Sequence, residues 1–138
     1  MMRILFLDDE EELVANLPKV LKDDGFEIEA TADIHDAIER FSEHDYDAVL
    51  LDMGMPPTDD MDADSVGYGR RTGVEVARRM HGLKPHIPLA LLTAIGDRKT
   101  HAAARKHGVV RVIPKPAEVE QIAEGLRAAI QSARGDGG

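Results

Sequence analysis

Five polar residues stand where chemistry is expected, because each ends or directly follows a short apolar run. They are Asp8, Asp9, Asp52, Thr93 and Lys115. A short apolar run that stops at a polar residue, close to glycine or proline, is typical of a buried strand entering a loop. The carboxyl ends of parallel strands form the ligand crevices of open α/β sheets. The pattern therefore predicts one crevice that holds three carboxylates, a hydroxyl and an ammonium group.

This set of groups favours a metal site that accepts a phosphoryl group. Three carboxylates within a few ångströms repel each other strongly unless a cation lies among them. Mg²⁺ is the natural candidate, since it prefers oxygen ligands and retains waters that a phosphate oxygen can replace. Asp52 can then attack phosphorus and form an aspartyl phosphate. Lys115 supplies an ammonium that, with the metal, stabilises the added charge, and Thr93 supplies a hydroxyl.

The elements that must position these groups alternate between strand and helix. Apolar patterns predict strands at 3–7, 26–30, 47–52, 85–93 and 109–113, each followed by a helix. Such alternation is typical of a parallel sheet covered on both faces, with right-handed crossovers. We predict a flavodoxin-like, doubly wound (βα)5 fold with strand order 2-1-3-4-5, in which strands one and three are neighbours. One domain is expected over residues 1–131, with a flexible tail at 132–138.

Length, charge and composition exclude several classes. The 138 residues suit one domain with one core. The net charge of −9 and the lack of a basic run argue against direct nucleic-acid binding. No apolar run approaches the roughly 20 residues of a membrane helix, so we expect no membrane insertion. Cysteine is absent, which excludes thiolate chemistry and suits a reducing cytoplasm, the expected location.

Four motifs in a fixed order make a family resemblance specific. They are Asp8-Asp9, Asp52-Met53-Gly54-Met55-Pro56, Thr93-Ala94 and Lys115-Pro116. Each motif alone is common, but all four in order, each after a predicted strand, are not. Over residues 3–131 the chain resembles a receiver domain of the two-component response-regulator family, and no DNA-binding module follows residue 130. We therefore expect a receiver of the stand-alone type.

The resemblance implies a role for each matching residue. It implies that Asp52 is the phosphoacceptor and that Mg²⁺ is held by Asp9 and Asp52, by Asp8 mainly through water, and by the Gly54 backbone carbonyl. It implies that Thr93 is the switch hydroxyl, that Lys115 pairs with the phosphoryl group, and that the Lys115–Pro116 bond is cis.

The resemblance also implies partners and a kind of activity. The phosphoryl group would come from a histidine kinase or a histidine phosphotransfer protein. Output would follow by protein contact with an unidentified target or by a phosphorelay. The domain would catalyse its own phosphorylation and dephosphorylation without being a turnover enzyme.

One departure from the family is an inserted segment at residues 58–71, in a loop that the family keeps short. Its acids at three alternate positions are Asp60, Asp62 and Asp64. They begin like an EF-hand calcium loop, but the required glycine and final glutamate are missing. We expect a solvated acidic loop. The alternative is a loop that leans over the crevice and places Arg70 or Arg71 near the phosphate.

A second departure is Val112, three residues before Lys115, where the family usually carries tyrosine or phenylalanine. A valine cannot rotate a ring inward, so the usual aromatic relay is in doubt.

Two other classes of protein stay open. A haloacid dehalogenase-type Mg²⁺-dependent phosphohydrolase would need a second aspartate two residues after the nucleophile, where this chain has Gly54. A pseudo-receiver docking module would usually have lost the acids or the lysine, and all are present.

Overall fold

A computed structural model describes residues 1–94 and 96–135, in which five strands alternate with five helices. The strands are β1 (Met2–Leu7), β2 (Phe26–Thr31), β3 (Ala48–Asp52), β4 (Leu89–Thr93) and β5 (Val109–Pro114). The helices are α1 (Glu11–Leu21), α2 (Ile34–Glu43), α3 (Thr72–Leu83), α4 (Arg98–Lys106) and α5 (Val119–Gly135). None of the helices in this part of the chain is long and apolar enough to cross a bilayer.

The sheet is parallel and its strand order is β2-β1-β3-β4-β5, so the predicted topology is confirmed. Strands β1 and β3 are direct neighbours, and Leu7 is aligned with Leu51. The residues that follow this pair, Asp8 and Asp52, therefore leave the sheet side by side. Thr93 ends β4 in register with Pro114 of β5, which places Lys115 at the same edge.

The core lies on both faces of the sheet because successive strand residues point to opposite sides. In β3, Val49 and Leu51 pack with residues of α2, α3 and α4. Ala48 and Leu50 pack on the other face with residues of α1 and α5. Every residue of β3 is buried, as expected for the central strand of a sheet covered on both sides.

Two predicted boundaries were wrong. The fourth strand was predicted from Pro85 but begins at Leu89, because the preceding residues form a turn in which the Ile87 amide donates to the Lys84 carbonyl. The flexible tail was predicted from residue 132, but α5 continues to Gly135. There the Arg134 guanidinium donates to the Asp47 carboxylate at 3.2 Å, which ties the last turn to the sheet. Residues 136–138 lie outside the described part of the chain.

The acids of the inserted segment 58–71 are exposed, as expected of a solvated acidic loop, but two of its apolar residues fold onto the domain. Met61 and Val66 are buried and join the core on the face of the sheet that α2, α3 and α4 cover, here called the α2–α4 face. Asp60 is exposed and accepts a hydrogen bond from Arg79 of α3 at 2.9 Å. Asp64 is also exposed and accepts a hydrogen bond from the Tyr68 hydroxyl. These carboxylates are engaged with side chains of the protein, unlike the ligands of a calcium loop.

Helix α3 approaches the end of β3 so closely that its first turn requires glycine. A Cβ atom on Gly73 would lie 2.5 Å from the Asp52 carbonyl oxygen and 2.7 Å from the Met53 Cα. Both of these are backbone atoms, which cannot move aside as the end of a side chain can. Gly82, near the other end of the same helix, has open space where a Cβ atom would lie, with no neighbour within 4 Å.

Gly73→Ala is therefore expected to lower the free energy of unfolding by about 1–3 kcal/mol, as overpacking does in a closely packed interior. Gly82→Ala is the matched control and should raise it by about 0.5–1 kcal/mol, because alanine loses less backbone entropy in a helix. Urea denaturation of both variants measures the difference. Equal stabilities would contradict the close contact between α3 and β3.

Candidate functional site

The carboxyl ends of β1, β3, β4 and β5 enclose a crevice with a volume of about 300 Å³. Its lining residues are Asp8, Asp9, Glu10, Asp52, Gly54, Thr93, Ala94 and Lys115. All six residues singled out from the sequence lie here. Ala94 and Glu10 complete the lining, and Glu10 was not among the site residues predicted from the sequence.

The two acids after β1 have different surroundings. Asp8 is fully buried, and its amide donates to the Thr31 carbonyl, which continues the pairing of β1 with β2. Its carboxylate accepts from the Glu10 amide at 2.8 Å and from the Lys115 ammonium at 3.3 Å. Asp9 is exposed. Asp8 is thus held by the protein on both oxygens, while Asp9 is turned toward solvent.

Asp52 is the last residue of β3 and only 5% exposed. Its Oδ1 accepts a hydrogen bond from the Lys115 ammonium at 3.1 Å. Burial, together with the negative charge of Asp8, raises the pKa of Asp52 to about 7, although Lys115 acts in the opposite direction. A carboxylate with this pKa is poised between its two protonation states near neutral pH and gains from any further positive charge.

Lys115 leaves β5 at the same edge and bridges the two buried acids. Its amide donates to the Thr93 carbonyl at 2.8 Å, and the Lys115–Pro116 peptide bond is cis, as expected. Burial lowers the pKa of the Lys115 ammonium, but Asp52 and Asp8 outweigh this effect, so its pKa lies above the usual value. Lys115 is therefore positively charged at neutral pH, and its ammonium also lies 4.0 Å from Glu10.

Thr93 and Val112 lie on the neighbouring strands β4 and β5, and they have different surroundings. Thr93 is 3% exposed at the end of β4, beside the crevice. Val112 is aligned with Leu91 and packs against the core on the α2–α4 face. The position where the family usually has an aromatic ring is thus filled here by a small, partly buried aliphatic side chain.

The inserted segment meets this site through its backbone. The described residues of 58–71 do not line the crevice, so the alternative that placed Arg70 or Arg71 there was wrong. Arg71 instead donates to the Ser65 carbonyl within its own loop at 3.3 Å. The link to the site is a hydrogen bond from the Met55 amide to the Gly69 carbonyl, 3.1 Å long. Sequence patterns gave no signal for this contact, because it joins two irregular segments.

The donor set fits a hard divalent cation. One ligand atom each from Asp8, Asp9 and Asp52 can be chosen so that all lie within 4.8 Å of one another. No other such group of three occurs in the parts of the chain that the structure describes. Carboxylate oxygens are the ligands that Mg²⁺ prefers, and one ammonium cannot neutralise three acids. A cation among them relieves the repulsion that Asp8 and Asp52 exert on each other.

The raised pKa of Asp52 predicts the direction of a pH effect. When a chelator is present, the folded protein keeps a proton on Asp52 that the unfolded chain has released, so stability falls as pH rises from about 4 through about 7. The side chain of Asp52→Asn does not titrate, so this variant does not lose stability in this way as the pH rises. We expect its melting temperature to exceed that of the unaltered protein by a margin that grows between pH 5 and pH 8. Millimolar Mg²⁺ should narrow the margin. A constant margin would contradict the raised pKa.

The sequence is similar to that of known proteins along most of its length. A family model described as the response regulator receiver domain matches residues 4–127. The chain is 27% identical over 136 residues to the response regulator MprA of Mycolicibacterium vanbaalenii, covering 99% of this chain and 53% of that protein. It is 29% identical over 126 residues to the transcriptional regulatory protein TcrA of Mycobacterium tuberculosis, covering 91% of this chain and 45% of that protein. The chain spans about half the length of these curated relatives.

Solved structures show the same fold. A CheY-like response regulator receiver domain protein from Methanospirillum hungatei superposes with a TM-score of 0.81 at 19% identity, covering 99% of this chain and 98% of that one. A receiver domain protein from Clostridium thermocellum gives 0.79 at 24% identity, covering 97% and 98%. Fold, crevice and the match over residues 4–127 lead to one conclusion. The chain belongs to the receiver-domain family of two-component response regulators.

Proposed function

We propose that Asp52 accepts a phosphoryl group from a histidine kinase or a histidine phosphotransfer protein. The observation that carries this proposal is the meeting of Asp8, Asp9, Asp52 and Lys115 in one crevice at the carboxyl edge of the sheet. Asp52 lies at the end of the central strand, with one oxygen bonded to Lys115. Its second oxygen serves as the nucleophile.

The transfer exchanges one bond to phosphorus for another. A carboxylate oxygen of Asp52 forms a bond to phosphorus while the bond from phosphorus to the donor breaks. The donor atom is an imidazole nitrogen in a phosphohistidine, or an acetate oxygen in acetyl phosphate. It leaves with the electron pair, and the imidazole then takes a proton from solvent. Asp52 must be deprotonated to attack, so a neighbouring cation that lowers its raised pKa favours the reaction.

Asp9, Asp52 and the Gly54 carbonyl would hold Mg²⁺ directly, and Asp8 would act mainly through water. The surroundings of the acids support this division, because Asp8 already accepts hydrogen bonds on both oxygens whereas Asp9 is exposed. When bound, the ion neutralises negative charge on the transferred group and orients its oxygens.

Lys115 and Thr93 would respond to the new phosphoryl group. The Lys115 ammonium already lies between Asp8 and Asp52, and a phosphoryl group on Asp52 offers it a stronger charged acceptor. The Thr93 hydroxyl would donate a hydrogen bond to the same phosphoryl group. Because the Lys115 amide is bonded to the Thr93 carbonyl, both movements would reach β4 and β5 together, without an aromatic ring at Val112.

Output would follow by contact with a downstream protein or by passing the phosphoryl group along a relay. The added charge would shift the balance between two conformations of the domain.

We propose that the domain catalyses its own phosphorylation and dephosphorylation and is not a turnover enzyme. We also propose a cytoplasmic location, where a chain without cysteine loses nothing to the reducing environment.

The two other classes have less support. Gly54 is exposed and lines the crevice, so the position where a haloacid dehalogenase-type phosphohydrolase carries its acid–base aspartate offers no side chain. A docking module that had lost phosphorylation would not need three acids and a lysine in one crevice. The receiver family match over residues 4–127 favours phosphoacceptance over both.

Incubation with acetyl phosphate and Mg²⁺, followed by intact mass measurement, tests the proposal. We expect the unaltered protein to gain one phosphoryl group, and Asp52→Asn to gain none, because the amide is not a nucleophile. Omitting Mg²⁺ should strongly reduce the gain, since the charge of the transferred group is then not neutralised.

Asp62→Asn is the matched control, because it removes the charge of an exposed acid in the inserted segment. It should be phosphorylated like the unaltered protein. A phosphoryl group retained in Asp52→Asn would refute the assignment of the acceptor. Sustained release of phosphate from phosphomonoesters would favour the phosphohydrolase instead.

A further inference from the structure

The residues on either side of Gly54 are anchored through every backbone polar group. The Met53 amide donates to the Leu92 carbonyl at 3.0 Å, and its carbonyl accepts from the Gly73 amide at 2.8 Å. The Met55 amide donates to the Gly69 carbonyl at 3.1 Å. The Met55 carbonyl accepts from the Thr72 hydroxyl at 2.5 Å. Three of these four partners lie within residues 69–73, where the inserted segment joins α3.

The side chains reinforce this anchoring. Met53 and Met55 are 1% and 3% exposed and belong to the core on the α2–α4 face. Gly54 between them is exposed and lines the crevice. The segment is therefore held from both ends, while the residue at its centre faces the site.

The bond to Gly69 has a direct geometric consequence. The Gly54 carbonyl and the Met55 amide belong to the same planar peptide unit, in which the C=O and N–H groups point in opposite directions. An amide held by the Gly69 carbonyl therefore sets the direction of the Gly54 carbonyl. The hydrogen bond from Thr72 holds the next peptide unit, so rotation of the first one meets resistance on both sides.

The partners themselves are closely fitted. Thr72 is fully buried, and its hydroxyl donates a hydrogen bond to the Met55 carbonyl. Met55 is itself shielded from water, so loss of this donor would leave its carbonyl without a partner from solvent. Gly69 has a φ of +105°, a conformation that favours glycine. A Cβ atom on Gly69 would lie 2.9 Å from the Met55 carbonyl oxygen, so a larger residue would push the two segments apart.

We propose that Gly69 and Thr72 are positioning residues that aim the Gly54 carbonyl at the divalent ion. The end of the inserted segment, through Gly69, and the first residue of α3, Thr72, thereby set the magnesium affinity of the site without touching the ion. This inference rests on the proposed function, which places the ion against Gly54. Residues that orient metal ligands through hydrogen bonds commonly contribute about 10–100-fold to metal affinity.

Isothermal titration with MgCl₂ of the full chain tests the inference. Thr72→Val removes the hydroxyl at nearly constant shape, and we expect it to weaken magnesium binding about tenfold. Thr72→Ser keeps the hydroxyl and should retain most of the affinity. Gly69→Ala, which displaces the Met55 carbonyl, should weaken binding by a similar factor.

Each variant has a control elsewhere in the fold. Thr100→Val removes another buried hydroxyl, which contacts Asp97 at the start of α4. Gly25→Ala places alanine at a φ of +89° with no neighbour within 4 Å of the new Cβ. Both should bind magnesium like the unaltered protein. Melting in the presence of a chelator reports folding separately from metal affinity, and if Thr72→Val does not fold, Thr72→Ser and Gly69→Ala decide the outcome.

The possible results separate the two proposals. If the unaltered protein takes up no magnesium, the proposed function itself fails. If it binds magnesium and the folded Thr72→Val and Gly69→Ala variants bind equally tightly, the positioning role is overturned and the proposed function stands. Equal weakening in Thr72→Ser and Thr72→Val would also overturn the role of the hydroxyl.

Discussion

The crowding of negative charge at the end of the central strand is the constraint on which this domain depends. Asp8 and Asp52 are nearly inaccessible to water, and they share one ammonium, that of Lys115. Burial, together with the charge of Asp8, raises the pKa of Asp52 to about 7, because the Lys115 ammonium offsets only part of these two effects. The site therefore gains from additional positive charge, which is the property that a magnesium-dependent phosphoacceptor requires.

Packing outside the crevice keeps these charges together. Strands β1 and β3 are adjacent and both deeply buried, so Asp8, which follows β1, and Asp52, which ends β3, cannot separate without disrupting the core. The first turn of α3 lies against the Asp52 backbone, and only glycine fits at position 73. The repulsion is thus balanced by packing that lies outside the crevice, as is common where functional sites are strained.

The inserted segment gives this member of the family a local feature of its own. Two of its side chains, Met61 and Val66, are part of the core, and its backbone is bonded to Met55 beside the crevice. A longer loop at this position is therefore a structural support, although its acids are exposed. Arg71 donates to the Ser65 carbonyl within the loop, and neither Arg70 nor Arg71 lines the crevice.

Strand ends such as Asp8, Asp52 and Lys115 could be predicted from the sequence, because an apolar run followed by a polar residue is a local signal. The parallel sheet followed from the alternation of elements, and the strand order was predicted from the flavodoxin-like fold class. The start of β4 at Leu89 and the extension of α5 to Gly135 could not be read in this way, since a turn precedes β4 at Ile87 and the last turn of α5 contacts Asp47, which is distant in sequence. The sequence alone determined which chemical groups reach the sheet edge. Only the tertiary structure decided how they are oriented, because the hydrogen bonds of Gly69 and Thr72 with Met55 join segments that have no repeating pattern to reveal them.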